Sequence, residues 1–129
     1  MSLPIVNTGL AIIAKRMMTQ AGESSPAQPE PKYLGWGTGT TAAALTNTGL
    51  TSPSAEARVA GTNSNVTTNV ANDTYQVVGT ITSGSTQTIA ELGQFDASVG
   101  GNMLAHWVFT GLALNSGDGI QFTTQIYGS

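Results

Sequence analysis

Charged side chains are scarce in this chain of 129 residues, because Asp, Glu, Lys and Arg make up only 9% of it, against about 25% in ordinary soluble domains. The polar part of its surface must therefore come from Thr, Ser, Asn, Gln and Gly. Such short side chains lose little rotamer entropy when they are immobilised, and Lys and Glu are depleted from the cores of protein interfaces. The composition favours a chain with much of its surface in contact with protein. A merely polar extracellular β domain is the alternative.

The chain has no cysteine and a single histidine, His106. The absence of cysteine excludes disulfides, thiolate metal sites and a cysteine nucleophile, and one histidine cannot form a histidine pair or a three-histidine metal centre. His106 lies in the apolar run Leu104–Phe109, where we predict a hydrogen-bonded strand residue at the margin of the core or at an interface. A Ser-His-Asp site would need His106 as its base, and no G-x-S-x-G motif supplies a nucleophile.

Positive charge is sparse and dispersed. Lys15, Arg16, Lys32 and Arg58 are the only Lys and Arg residues, and the formal net charge is −3. Binding of DNA or RNA through counterion release needs several clustered cations. We therefore expect no direct nucleic-acid partner.

Long apolar runs are also missing, since none approaches the roughly 18 residues that a membrane-spanning helix requires. The apolar stretch Leu10–Ala14 precedes Lys15 and Arg16, whereas the positive charges of a secretory signal come first. We expect no membrane partner and a chain that is made and kept in the cytoplasm until assembly.

Helix-forming residues fill the segment Thr8–Gln20 near the N-terminus. Leu10, Ile13 and Met17 recur at spacings of three and four, which places them on one face of a helix. An isolated helix of this length is marginal in water, so that face must dock either on the chain's own domain or on a neighbour. We predict that Leu10, Ile13 and Met17 are interface residues.

A proline-rich tether follows the helical pattern. Pro26, Pro29 and Pro31 lie in the segment 23–32, where the loss of backbone donors favours extended polyproline geometry. Such a segment is a semi-rigid spacer. Residues 1–32 are therefore interpreted as an N-terminal arm and tether that reach a neighbouring subunit, with an arm folded back on its own domain as the alternative.

Strand patterns dominate residues 33–129. Thr74–Thr82 alternates apolar and polar residues, Met103–Leu114 is a long apolar strand, and a second alternating stretch follows it. Glycine-rich turns separate these stretches, and no β-α-β spacing is present. The expected fold is all-β, an antiparallel β-sandwich or jelly roll with an extended N-terminal arm that includes the short helical segment. A strand is also predicted over Glu56–Thr62 and a long polar loop over Asn63–Asn72.

Four acidic residues lie near the ends of predicted strands or beside turns: Asp73, Glu91, Asp96 and Asp118. Paired carboxylates can carry out glycosidase chemistry, but few aromatic side chains are left to form a sugar platform. Acidic residues next to turns usually accept hydrogen bonds from backbone N–H groups. We interpret these four as turn-capping residues, with weak Ca²⁺ binding as an alternative, and predict no catalytic residue, no cofactor and no resident metal.

Gly35, Gly37 and Gly39 form a G-x-G-x-G pattern without the strand-to-helix context of a dinucleotide site. We expect a close backbone approach or a bend there. Tyr33 and Trp36 lie in the same stretch, beside the tether. Because Trp and Tyr dominate interface hot spots, we predict that these two are interface anchors, while most other aromatic rings belong to the core.

Three blocks of sequence resemble small virion proteins of tailed bacteriophages. The blocks are Leu34-Gly-Trp-Gly-Thr-Gly-Thr-Thr41, the run Ile89-Ala-Glu-Leu-Gly-Gln-Phe-Asp96 followed by Gly100-Gly-Asn-Met-Leu-Ala105, and the ending Leu114-Asn-Ser-Gly-Asp-Gly-Ile-Gln-Phe-Thr-Thr124. The middle block is similar to an E-(V/L)-G-x-F-D…G-G-x-(M/L)-L-A pattern of that family, and Gln94 stands where Leu is common. The resemblance as a whole covers roughly Tyr33 to Ile126.

This resemblance implies a non-enzymatic structural role in the virion, reached by assembly in the host cytoplasm. The first expectation is a capsid decoration (cement) protein that stabilises the head through subunit contacts. Its partners would be the major capsid protein or other virion proteins, and it would act as a homo-oligomer, either a trimer or a dimer. The alternatives are a tail, baseplate or fibre-adaptor subunit and a carbohydrate-binding host-recognition module. The last of these would need an exposed aromatic groove.

Overall fold

The computed structural model describes residues 5–20 and 28–127, except for the side chains of residues 17–20. One helix and seven strands follow one another along this part of the chain. Their bounds are α1 Asn7–Gln20, β1 Tyr33–Gly37, β2 Val59–Ala60, β3 Thr62–Val66, β4 Thr74–Thr82, β5 Gln87–Phe95, β6 Met103–Leu114 and β7 Gly119–Ile126.

The strands form two antiparallel sheets that share a core. The first sheet has the order β2-β1-β5-β6 and the second has the order β3-β4-β7. Leu34, Trp36 and Ile89 of the first sheet meet Val77 and Ile81 of the second in one cluster, and none of the five is more than 1% exposed. The prediction of an all-β sandwich with an N-terminal helix is confirmed.

The turns that glycine predicted are present in the structure. Gly100 and Gly101, between β5 and β6, have φ angles of 64° and 67°, and Gly117, between β6 and β7, has a φ of 94°. Glycine adopts this left-handed backbone without the steric cost that a Cβ atom would add. The first turn joins β5 to its neighbour β6 in the first sheet, and the second turn carries the chain from β6 to β7 in the second sheet.

The region between β1 and β4 differs from the sequence prediction. Within the strand expected over Glu56–Thr62, only Val59–Ala60 and Thr62 are in strands, and they belong to two different strands, β2 and β3. The rest of β3 lies in the loop expected over Asn63–Asn72 and pairs with β4 from Thr62↔Val78 to Val66↔Thr74. The β3 side chains are exposed or half-buried, so no hydrophobic alternation indicated the strand. Backbone pairing with β4 holds it in place.

The predicted helix is confirmed, but its buried face is not the expected one. Ile12 is 1% exposed and packs against Leu104 and Ala105 of β6, whereas Leu10 is 57% exposed. Just before the helix, the N–H of Val6 donates to the carbonyl oxygen of Leu104 at 3.2 Å. The helix therefore docks on its own domain, as in the folded-back alternative.

Candidate functional site: an uncharged sheet edge and a buried carboxylate

A carboxylate and an imidazole are buried together between β5 and β6. Glu91 Oε2 lies 2.8 Å from His106 Nε2, and both side chains are 0% exposed. His106 Nδ1 lies 2.8 Å from Asn47 Oδ1, which also accepts a hydrogen bond from the N–H of Ala44. Both ring nitrogens thus face acceptor oxygens. The prediction that His106 is a hydrogen-bonded strand residue is confirmed, and its side chain is fully buried.

Glu91 fastens the loop that connects β1 to β2. Its Oε1 accepts hydrogen bonds from the N–H groups of Ser52 at 2.7 Å and Gly39 at 3.2 Å, and its Oε2 accepts one from the N–H of Thr51 at 3.0 Å. A Cβ atom on Gly39 would lie 2.6 Å from Glu91 Oε1, so this is the close approach that the glycine pattern predicted.

The environment of Glu91 acts on its pKa in two directions. Burial raises the pKa, whereas the N–H groups of Ser52 and Thr51, the side chain of His106 and the N–H of Gly39 lower it, and the net effect is a lowered pKa. The carboxylate is therefore held in its charged form inside the fold. Its oxygens are occupied by these donors, and no solvent reaches the side chain. The arrangement holds the loop between β1 and β2 against β5.

The interpretation of the acids as turn-capping residues is confirmed for three of the four. Asp96 accepts from the N–H of Asn102 at 2.7 Å, and Asp118 accepts from the N–H of Asn115 at 2.8 Å. The N–H groups at positions 68, 70 and 69 hold the pKa of Asp73 well below its usual range. Glu91 was placed wrongly, because it lies within β5 and not at a turn. The single acidic residue in the otherwise uncharged strand Gln87–Phe95 was the feature of the sequence that could have indicated a buried carboxylate.

The residues predicted as interface contacts lie in different environments. Leu10 is exposed, Ile13 is half-buried against the Ile12 cluster, and the Met17 side chain lies outside the described residues. Tyr33 is half-buried beside a cluster of Val6, Phe95 and Met103. The exposure of the described members of this set therefore differs, and their role as interface residues stays a prediction.

Trp36 is a core residue in this structure. It is 1% exposed, its ring meets that of Phe122 edge-on at 6.2 Å, and its Nε1–H donates to Glu56 Oε1 at 2.7 Å. With its polar atom satisfied and its ring buried, it offers no exposed surface to a partner or a sugar. Trp36 therefore lies in the core of this single chain, and its predicted role as an interface anchor stays a prediction.

The side of the sandwich formed by β6 and β7 is open and apolar. Each of these strands is the last in its sheet, and a groove with a cavity of about 350 Å³ runs between them, lined among others by Trp107, Phe109, Leu112 and Phe122. No Asp, Glu, Lys or Arg occurs in either strand. We call this feature the β6–β7 groove. Sequence reasoning missed it, although Asp118 is the only such residue between positions 97 and 127.

A second cavity, of about 440 Å³, lies where the helix meets the other sheet. Ile12, Ile13, Arg16, Tyr75 and Ile126 are among its lining residues. The Tyr75 hydroxyl is buried without a hydrogen-bond partner of normal geometry among the described residues, although Asn63 lies beside it, and burial raises the pKa of Tyr75 to about 12. The helix thus covers this part of the sandwich without filling it.

The family model described as "Podophage GP4 fiber I protein gp80" matches residues 12–127. The chain belongs to this family. The match begins within α1 and includes all seven strands, so it covers the whole sandwich and both features described above. No curated protein and no solved structure matches the chain.

Membership of the podophage fiber I family confirms the predicted class, a structural protein of the phage virion. In the described part of the chain, no group of three or more His, Cys, Asp or Glu residues is placed to hold a metal ion. Among the same residues, no helix has the length and apolar character needed to cross a membrane.

Proposed function

We propose that the protein is a structural subunit of a podophage fibre, which assembles with copies of itself and with other virion proteins and has no catalytic role. The family match over residues 12–127 carries this proposal, because the family is described as a fibre protein. The low content of charged residues, 9% of the chain, supports it, since a surface of hydroxyls and amides loses little entropy on assembly.

The polar groups of the fold support a non-catalytic role. Glu91 and His106 are fully buried and bonded to each other, and Asp96 and Asp118 are engaged by backbone N–H groups of their own turns. A general acid or base must reach a substrate within hydrogen-bond distance. Glu91, His106 and Asp96 are buried and present no such opening, whereas Asp118 is exposed in the turn between β6 and β7.

Capsid decoration was the first expectation from the sequence, and fibre association was among its alternatives. The two roles depend on the same force, burial of apolar area at about 25 cal/mol per Å² before ordering costs, and differ in location. The word "fiber" in the family description favours the alternative. The third expectation, a carbohydrate-binding module with Tyr33 and Trp36 in an exposed groove, has no support because Trp36 is 1% exposed.

Localisation in purified particles tests the proposal. Gold-conjugated antibodies against this chain are expected to label fibre projections in electron micrographs, while antibodies against the major capsid protein label the head evenly. Quantitative mass spectrometry of separated heads and tails then gives its copy number in each fraction. Even labelling of the head, at a copy number comparable with that of the major capsid protein, would contradict the fibre role and restore capsid decoration.

A further inference from the structure

The two sides of the sandwich are closed to different extents. On one side, the chain passes from β2 in the first sheet to β3 in the second through Gly61 alone. A Cβ atom on Gly61 would lie 2.4 Å from a methyl group of Val77, which shows how tightly the chain crosses there. The edge strands on this side are short, with two residues in β2 and five in β3. Short edge strands are one means by which proteins prevent unwanted sheet pairing.

The opposite side lacks this protection. Its edge strands, β6 and β7, have 12 and 8 residues, and they are joined only by the turn at one end. Natural sheets usually protect long edges with charged residues or proline, and neither occurs in these two strands. A local irregularity is present, because the pairing passes from Glu91↔Val108 to Ile89↔Leu112. Bulges of this kind generally bend the strand that contains them, but this one adds no charge to the edge.

The chain covers half of this side itself. Ile12 packs against Leu104 and Ala105, and Ile5 forms a bridge to Ala105, so the first residues of β6 are covered by the N-terminal segment. The second half of β6 has no such cover among the described residues. Positions 110–113 are exposed there, and Leu112 is 47% exposed.

Aromatic rings line the uncovered half. Phe109 and Phe122 lie 6.3 Å apart, tilted by 51°, and with Trp107 they are only partly buried. The outward positions of β7 carry Gln121, Thr123 and Gln125, which are neutral donors and acceptors. The β6–β7 groove thus combines apolar rings with uncharged polar groups, the composition expected of the centre of a protein interface.

We propose that a second copy of this chain occupies the uncovered half of the β6–β7 groove. Charge decides between possible occupants. An ordinary soluble domain contains about 25% charged residues, which lie mostly on its surface. A groove without charge offers such residues no counter-ion when binding removes their water. The same groove on a second copy has no Asp, Glu, Lys or Arg, so pairing two grooves removes no charged side chain from water. This inference deepens the fibre proposal by naming the self-association surface, and it rests on that proposal for its role in the virion.

Lysine substitutions on β6 test the surface. Leu112→Lys places a cation in the groove, and Thr110→Lys places one at an exposed position of the same uncovered half of β6. Val99→Lys is the matched control because Val99 is 86% exposed in a turn away from the groove. The readout is the oligomeric state of the full chain by light scattering coupled to size-exclusion chromatography. We expect wild-type protein and V99K to self-associate alike and L112K and T110K to associate at least about tenfold more weakly, with unchanged circular dichroism.

Cross-linking provides a second readout that does not depend on a destabilising charge. Since the chain has no cysteine, Leu112→Cys and Val99→Cys each introduce a single thiol. With a short bismaleimide, L112C is expected to give covalent dimers and V99C to remain monomeric. The inference would be overturned by a monomeric wild-type protein at micromolar concentration, by equal association of L112K and wild type, or by equal cross-linking of the two cysteine variants. Antibody labelling of the virion is independent of these results, so the fibre role and the groove can fail separately.

Discussion

Replacing Glu91 with glutamine removes one negative charge from the centre of the fold while keeping the shape of the side chain. In the native structure, Oε1 accepts from Ser52 and Gly39, and Oε2 accepts from Thr51 and lies against His106. Glutamine has a single acceptor oxygen, and its amide nitrogen can only donate. Wherever that nitrogen is placed, it faces at least one backbone N–H group.

The smallest loss arises when the amide nitrogen of the introduced glutamine takes the place of Oε2. The N–H groups of Ser52 and Gly39 then keep an acceptor, but it is a neutral one. The contribution of each of these hydrogen bonds to stability therefore falls from about 1.5–3 to about 0.5–1.5 kcal/mol. The N–H of Thr51 is left without its acceptor, at a cost of about 1–3 kcal/mol. We therefore expect E91Q to lower the free energy of unfolding by about 3–5 kcal/mol.

Thermal and urea denaturation measure this loss. For a domain of this size, the expected change corresponds to a Tm lower by roughly 10–20 °C. Hydrogen exchange should show the greatest loss of protection at Gly39, Thr51 and Ser52, because their N–H groups bond directly to Glu91.

Glu56→Gln is the matched control. Glu56 also accepts three hydrogen bonds, from Trp36 and Gln87 on Oε1 and from Gly84 on Oε2 at 3.3 Å, but it is only half-buried. Glutamine can keep its oxygen toward Trp36 and Gln87, so a loss of about 1 kcal/mol is expected. The argument is that burial makes Glu91 contribute more to stability than Glu56. It would be refuted if E91Q and E56Q lowered the free energy of unfolding equally, or if E91Q lowered it by less than about 1 kcal/mol.

Three further outcomes follow from the same structure. Folding lowers the pKa of Glu91, so the contribution of its charge to the free energy of unfolding is fully present above the ordinary carboxyl pKa of about 4.3 and is lost as the pH falls through the lower folded-state pKa. The difference in the free energy of unfolding between wild type and E91Q should therefore shrink on acidification. Urea denaturation at a series of acidic pH values measures this difference. Ile12→Ala should cost about 2–5 kcal/mol in urea denaturation because Ile12 is 1% exposed, whereas Leu10→Ala, at a residue 57% exposed, should change little. Gly37→Ala places a Cβ atom against the backbone carbonyl oxygen of Ser52 and should lower the free energy of unfolding by about 1–3 kcal/mol. At Gly49, a Cβ atom would have no other atom within 4 Å, so Gly49→Ala should leave the free energy of unfolding unchanged. Equal effects of the two substitutions would contradict the predicted clash.

Pattern in the sequence was sufficient where one face of an element is buried. The alternation in β4 predicts that Val77 and Ile81 face the core, as they do, and the helix-forming run that ends at Gln20 predicts α1. Scarce charge and three sequence blocks indicated a virion structural protein, and the family match confirms that class. These features are local or compositional, so a single chain carries them without knowledge of its pairing.

Only the tertiary structure decided which faces and edges meet. Ile12 is the buried residue of the helix, and Leu10 is not, because the face of α1 that carries Ile12 packs against β6. Strand β3 forms because β4 supplies its hydrogen bonds. The partners of Glu91 come from residues 39, 51, 52 and 106, which no spacing rule relates. The sequence by itself determined what each segment could bury. The pairing of distant strands determined which groups were buried together and left one side of the sandwich open, because contacts between residues far apart in the chain depend on the folded whole.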